Sequence, residues 1–401
     1  MTLQNVAIIG GGLAGLSLSL FLNQRNIKTT IYELRSSNIT SAGAIMLSPN
    51  ALKSLDKIGA FDRIKSKGYF FRDVTFRNDE HEYLDAYEMG NADRFGYDAL
   101  RIYRQVILDE LRSMNGEAGV DIIHEKKFSH VVSENDNGVT FAFADGETCT
   151  ADLLIGADGI HSTVRRYLVS GIKPAFSSVM AVTCAIPTKA VQVPYKPYEM
   201  PVSIHGQAGA FVMAPQNAEG SELLAGIQYR THERTREAWD ALFNDKQQLL
   251  DIMRADYDTW NPMVKSAIDA VPLDTLAIWP FHTVPKIEKW KSDKGRVIIL
   301  GDSAHAIPPA AGQGVNQAFE DVHSLSILMG AANQGKVQWN ESLDWWQEYR
   351  QNRIDRVTSL TNEMNRRRLP GWAGEGETID SSWLFGVEID KDVNAWIAEK
   401  K

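Results

Sequence analysis

The sequence predicts an α/β protein: a Rossmann-like nucleotide-binding domain of parallel strands, an interleaved β-sheet domain, and helices towards the C-terminal end. Three observations carry this. A glycine turn, Gly10-Gly11-Gly12-Leu13-Ala14-Gly15, lies between an apolar run and a helical pattern. Two more short apolar runs, at 152–156 and 296–300, each lead into a turn that holds glycine and aspartate. Between them, 180–230 is rich in strand-forming residues and punctuated by Pro187, Pro194, Pro197, Pro201 and Pro215, whereas 340–368 reads as one long helix.

Taken in order, residues 4–10 predict a buried strand, 14–25 a helix of leucines and small residues, and 28–32 a strand ending at Glu33. Together they make one βαβ unit of about 30 residues. Val106, Ile107, Leu111 and Met114 predict a helix over 100–115. Residues 120–155 predict short strands, with turns at Asn137-Gly138 and Asp145-Gly146. In 180–230 the prolines favour edge strands and loops. A charged amphipathic helix is predicted over 233–257, a buried strand over 296–300 and helices over 315–330 and 340–368. The run Arg366-Arg367-Arg368 reads as a solvated helix end, where the macrodipole favours cations. The expected division is one domain in three pieces, 1–70, 98–175 and 280–335, a second in two, 71–97 and 176–279, and a helical segment, 336–401, packed on the first.

Composition narrows the function. The 401 residues are 44% hydrophobic and 23% charged, which excludes a disordered or collagen-like chain. Lys plus Arg number 42 and Asp plus Glu 51, a net charge of −9 that disfavours nucleic acid and anionic membranes as partners. Two cysteines, Cys149 and Cys184, without zinc spacing predict no metal site and a reduced, cytoplasmic setting. The apolar run from Val6 to Leu22 has no Lys or Arg before it and is broken by glycines, so it is read as part of the fold rather than a signal peptide. No run reaches the ~18 apolar residues of a spanning helix.

The glycine turn fits GxGxxG. Gly10 permits the tight turn, Gly12 lets the backbone approach a pyrophosphate, and Gly15 lets the helix pack close to the sheet. The helix start at Leu13 and Ala14 offers free N–H groups to phosphate. Glu33, at the end of the second strand, can accept from a ribose 2′-OH. This motif alone does not choose between FAD and NAD. In a second motif, a strand runs into Gly156-Ala157-Asp158-Gly159, with Ser162 at a helix N-cap and Arg165 beyond. An ordinary strand–turn–helix competes with the functional reading there. In a third, Asp302 ends a strand, where open α/β sheets hold ligands, and Gly312 and Gly314 flank the start of a helix near Val315-Asn316. Such a helix start stabilises an anion, for instance a reduced flavin, by roughly 1 kcal/mol.

These three segments, in this order and spacing, resemble the single-component FAD-dependent aromatic hydroxylases, the family of para-hydroxybenzoate and salicylate hydroxylases and many fungal biosynthetic monooxygenases. Arg104, opening a helix, and Leu47-Ser48-Pro49-Asn50 match the same family pattern. The resemblance implies FAD as the bound cofactor, held by Gly10, Gly12, Leu13, Ala14, Gly15, Glu33, Arg35, Ala44, Arg104, Asp158, Asp302, Gly312, Gly314, Val315 and Asn316. It implies NADPH or NADH as a visiting reductant and O2 as co-substrate. Oxygen then passes to an activated ring through a flavin C4a-hydroperoxide. It also implies that Pro309 stands beside the flavin. On the substrate side, His205, Tyr229 and Arg230 are the catalytic candidates, and strand alternation lets only one of Tyr229 and Arg230 face the site. Met46 is a possible pocket residue and His305 reads as loop structure. A small aromatic is the expected partner, and the chain is expected to be a monomer or homodimer. Epoxidation or ring expansion on the same scaffold is the nearest alternative. A flavin-binding sensor or assembly subunit without turnover is the alternative of a different class.

Overall fold

A computed structural model gives the structure of residues 2–368 and 379–400; the stretch 369–378 of the expected C-terminal segment lies outside these described residues.

The apolar runs pair into a five-stranded parallel sheet in the order Val297–Ile299, Leu153–Gly156, Asn5–Ile9, Lys28–Tyr32, Asp121–Ile123. Strands covered on both faces need side chains that are apolar throughout, which is why these runs show no alternation. The helix Leu13–Asn23 packs on this sheet, flanked by Arg104–Glu117 and Gly314–Asn333. An antiparallel three-stranded sheet, Phe128–Asn135, Gly138–Phe143 and Thr148–Ala151, sets Phe141 and Phe143 against Tyr32.

A seven-stranded sheet draws its strands from distant parts of the chain. Its order is Ala277–Thr283, Ala175–Pro187, Glu222–Arg230, Gly209–Pro215, Val202–Gly206, Asp73–Asn78, Tyr83–Glu88. Alternation gives it two different faces. One face carries Met180, Val182, Ile204, Phe211 and Met213 and is covered by the helices Arg236–Asn244, Lys246–Arg254 and Pro262–Asp269. The other carries mostly small groups and faces the parallel-sheet half. The strand Ala277–Thr283 runs across the boundary expected at 279/280, because it pairs with Ala175–Pro187 on both sides of that point. A third antiparallel sheet, Ala44–Leu47, Ala99–Tyr103 and Tyr69–Phe71, joins the halves. The helix Trp339–Arg367 runs from the parallel-sheet core, where Trp346 is buried, to a third cluster around Phe76, Tyr87 and Met364.

Several sequence expectations are corrected. Residues 99–103 are strand, and the helix begins only at Arg104, because pairing with two neighbours claims the β-favouring Ala-Leu-Arg-Ile-Tyr. The helix expected over 233–257 is two helices, broken at Asp245, whose carboxylate accepts the Gln248 N–H at 2.9 Å and caps the second. Helix Val164–Leu168 starts one residue later than Ser162 implies, although the Ser162 hydroxyl still accepts the Arg165 N–H at 2.9 Å. The run Arg366–Arg368 is only partly a solvated terminus: Arg366 is exposed, but Arg367 is buried and ion-paired with Asp85 and Glu363, and Arg368 turns inward to line a cavity.

Candidate active site

The glycine turn separates into two jobs. A Cβ on Gly10 (φ +114°) would lie 2.3 Å from the Ala157 carbonyl oxygen, and one on Gly15 would lie 2.0 Å from that of Gly10. Those two glycines therefore serve close packing of strand, turn and helix. A Cβ on Gly12 meets nothing within 4 Å, so this position faces open space. The helix that follows has no side-chain cap, which leaves its first N–H groups available to a ligand. Gly12, Leu13 and Ala14 line a large cavity.

The third motif meets the same cavity. Asp302 borders it with its side chain exposed to the cavity; the protein packed around it raises its pKa, while His305 and Arg104 pull the other way. Gly312 (φ +64°) turns the chain against Met46 and Met89, and Gly314 and Val315 open a 20-residue helix that again lacks a side-chain cap. All three line the cavity, as do Ala44, Arg104 and Pro309. Two uncapped helix starts, an open glycine and a cation thus converge on one space. This arrangement fits the elongated diphosphate and ring system of FAD.

The other residues expected at the cofactor, Gly10, Gly15, Glu33, Arg35, Asp158 and Asn316, do not line this cavity. Glu33 accepts the Gly11 N–H at 2.6 Å and the Arg35 N–H at 2.8 Å, so its carboxylate fixes the glycine turn. The Arg35 side chain is exposed. Asp158 accepts the N–H groups of Thr163 at 2.7 Å and Val164 at 3.2 Å and the Ser303 hydroxyl at 3.1 Å. It caps a helix, while Arg165, also buried, donates to the Ser303 and Ile160 carbonyls. Asn316 spends its amide on the Ser48 N–H and the Met46 and Gly312 carbonyls, tying the cavity loop to the strand Ala44–Leu47.

Beneath this loop lies a buried charge cluster that sequence reading missed. Glu320, Asp321 and Arg350 are all fully buried. Arg350 pairs with Glu320 and, at 2.7 Å, with Asp321. Arg353 also holds Glu320, and Asn50 donates to it at 2.6 Å. Asp321 in turn accepts the Gly301 N–H at 2.8 Å and holds His305 at 2.6 Å, so the cluster fixes the turn that presents Asp302. Burial alone would raise the Glu320 pKa, yet Arg353 and Arg350 pull it down to about 2. The signal was present: Glu320-Asp321 are the only charged residues in the helix Gly314–Asn333.

The far wall of the cavity is the open face of the seven-stranded sheet. Ala181, Thr183, Val212, Ala214 and Gly226 form a flat floor of small groups, with Trp279 and Phe281 to one side. Among the catalytic candidates, Pro309 borders this space. Tyr229 does not: alternation turns it to the opposite face, packed on the helix-covered core. Arg230 shares the cavity's face but lies in a neighbouring cavity with Lys286 and His305, and Gln228 stands between the two. His205 is buried, with Nε2 3.1 Å from the Ser203 hydroxyl and its ring edge-on to Phe76. Burial lowers its pKa to about 4, so it is neutral at pH 7 and does not line the cavity. Sequence reading missed this floor and also the two cationic side chains that line the cavity beside Arg104, Arg101 and Arg368.

A parallel sheet with a glycine turn, carrying phosphate-accepting helix starts at the carboxyl ends of its strands, defines a dinucleotide-binding protein with an attached substrate sheet. Residues 4–361 match the FAD binding domain model, and the chain belongs to that family. Over 401 aligned residues it is 27% identical to a 3-amino-4-hydroxybenzoate 2-monooxygenase of Streptomyces platensis, covering 96% of each chain. It is 25% identical over 393 residues to a 6-hydroxynicotinate 3-monooxygenase of Pseudomonas fluorescens, covering 96% of this chain and 95% of the other. The fold matches the crystal structure of CtdE in complex with FAD and a substrate, with a TM-score of 0.82 at 18% identity over 99% of this chain and 98% of that one. FAD is the cofactor of this chain, and the chain is a monooxygenase of the aromatic-hydroxylating type. No helix among the described residues is long and apolar enough to cross a membrane.

Proposed function

We propose that the protein hydroxylates a small phenol or aromatic acid, with NADH or NADPH as reductant and O2 as the oxygen source. One observation carries this: the FAD cradle and the small-residue face of the substrate sheet open into a single cavity, whose lining includes Pro309. FAD, when bound, supplies the redox chemistry and the activation of oxygen. The chain's own residues bind, orient and shield. Gly12, Leu13, Ala14, Arg104 and the helix start at Gly314 and Val315 receive the cofactor. Ala181, Thr183, Val212, Ala214 and Gly226 offer a floor of small side chains on which an aromatic ring can lie. The apolar lining excludes water from the reacting ring.

The proposed division of labour gives the cofactor to 1–70, 98–175 and 280–335 and the substrate to 71–97 and 176–279, except that the strand Ala277–Thr283 stays whole within the substrate sheet. A cytoplasmic setting accords with the two unpaired cysteines. The test is NAD(P)H oxidation by FAD-loaded protein with and without a panel of phenols and aromatic acids, with products weighed by mass spectrometry. Stimulated oxidation with one oxygen atom gained by the aromatic supports the reading. FAD-loaded protein that oxidises NAD(P)H no faster with any aromatic refutes it.

A further inference from the structure

Four charged side chains line the cavity among the described residues: Arg101, Arg104, Asp302 and Arg368. Arg104 and Asp302 act on one another at the cofactor end. Arg101 and Arg368 have no such counterpart among the described residues. Arg101 is 5% exposed, and its Nε and Nη2 lack a hydrogen-bond partner among the described residues. Its strand neighbours Met46 and Tyr69 offer it no anion. Arg368 likewise leaves Nε buried without a partner among the described residues and makes no ion pair with any of them. It is close enough to Tyr87 and His205 to act on both electrostatically, which places it towards the substrate sheet. Tyr87 donates to the Ala311 carbonyl at 3.4 Å, and His205 is neutral at pH 7, so neither supplies a negative charge.

Buried charges are ordinarily paired, because the desolvation of an isolated ion costs several kcal/mol. The same molecule obeys that rule elsewhere, at Arg350 and Arg367. Two guanidiniums lining one cavity, unpaired among the described residues, are therefore sockets for an anion brought by a ligand. A planar fork of N–H donors matches a carboxylate in two-point contact.

We propose that the substrate is an aromatic carboxylate whose carboxylate group is received by Arg368, with Arg101 as a second cation that favours anionic ligands in the same cavity. This rests on the reading of the cavity as an aromatic monooxygenase site. It assigns selectivity to the end of the last long helix rather than to the substrate sheet. Burial lowers the pKa of both guanidiniums to about 10, which leaves each fully charged at neutral pH.

The test is binding to the full-length, FAD-loaded protein, read from perturbation of the flavin absorbance. The probes are benzoate, salicylate, 4-hydroxybenzoate and nicotinate, each beside its uncharged carboxamide. At least one acid is expected to bind roughly tenfold or more tightly than its amide. Arg368→Met is expected to remove that preference while leaving the amide's affinity within about threefold, and Arg368→Lys to restore part of it as a point charge. Arg101→Met is expected to weaken acids by a smaller factor. If Arg368→Met fails to retain FAD, the lysine variant carries the test: unchanged acid preference in it overturns the two-point contact. Equal binding of acids and amides by the natural protein, no binding by any acid, or a preference lost in Arg101→Met but not Arg368→Met each overturns the proposal. Product oxygenation is measured separately. Acid-selective binding without an oxygenated product refutes the proposed reaction and leaves the anion site standing.

Discussion

Replacing Arg350 by methionine tests how the buried charge cluster supports the cofactor site. The side chain keeps its reach but loses the bonds to Glu320 and Asp321 and the 2.6 Å bond to the Gln317 amide oxygen. Glu320 retains Arg353 and Asn50. Asp321 retains only His305 and the Gly301 N–H. Breaking a buried ion pair by removing one partner costs about 3–5 kcal/mol, and the surviving partners place this case near the lower end. Urea unfolding of FAD-loaded protein, followed by circular dichroism and flavin release, should show that loss. Because Asp321 fixes the turn that presents Asp302, FAD affinity should fall with it. Acid adds a second readout. The folded pKa of Glu320 lies below its unfolded value, so its contribution is present above about pH 4.5 and is lost as pH falls towards 2. A drop from 4.5 to about 2 is worth on the order of 3 kcal/mol. Part of that acid-dependent loss should vanish in Arg350→Met. A destabilisation under about 1 kcal/mol with unchanged FAD affinity would refute the argument.

Other substitutions separate folding from binding. Gly12→Ala should leave stability within about 1 kcal/mol yet weaken FAD binding tenfold or more, whereas Gly15→Ala should cost about 2 kcal/mol or more in the apoprotein, since its Cβ overlaps the Gly10 oxygen at 2.0 Å; calorimetry and FAD titration on both variants check this. Asp158→Ala should act mainly on stability, by about 2 kcal/mol, through its lost helix-capping bonds; a variant of natural stability that fails to bind FAD would contradict that. His205 has a folded pKa of about 4, below the usual histidine value, so its contribution is full above pH 6.5 and lost on acidification towards 4. His205→Gln should flatten that part of the stability profile and leave the pH–rate profile between about pH 5.5 and 8 unchanged; a kinetic pKa near 6.5 that disappears in the variant would make His205 a base after all.

The parts legible in the sequence are those where one chemical demand fixes several neighbouring residues. The parallel strands could be read because burial on both faces forbids alternation, and the turn at Gly10–Gly15 because close approach excludes a Cβ. The substrate wall was illegible because its residues are individually ordinary. Ala181, Val212 and Gly226 gain meaning only when strands far apart in sequence are set side by side. Tyr229 and Arg230 show the limit: alternation states that they part company, but only pairing tells which one faces the helices. The hydrogen bonds of Asp158 and Asn316 were equally out of reach, because motif position does not reveal a hydrogen-bond partner. Arg368 was misjudged because a basic helix end is usually solvated, and nothing local to it discloses the cavity it enters.

The placement of Arg350 also has a consequence for the order in which the protein is made. Glu320 and Asp321 leave the ribosome some 30 residues before the cation that neutralises them. At roughly 5–20 residues per second, that interval lasts seconds, far longer than a helix needs to form. Until the helix Trp339–Arg367 docks, the cofactor loop rests on two carboxylates that cannot both be buried without it. The nascent nucleotide-binding half must therefore stay loose at this point, and the helix Trp339–Arg367 acts as a latch that closes the cofactor site only once nearly all of its walls have been synthesised.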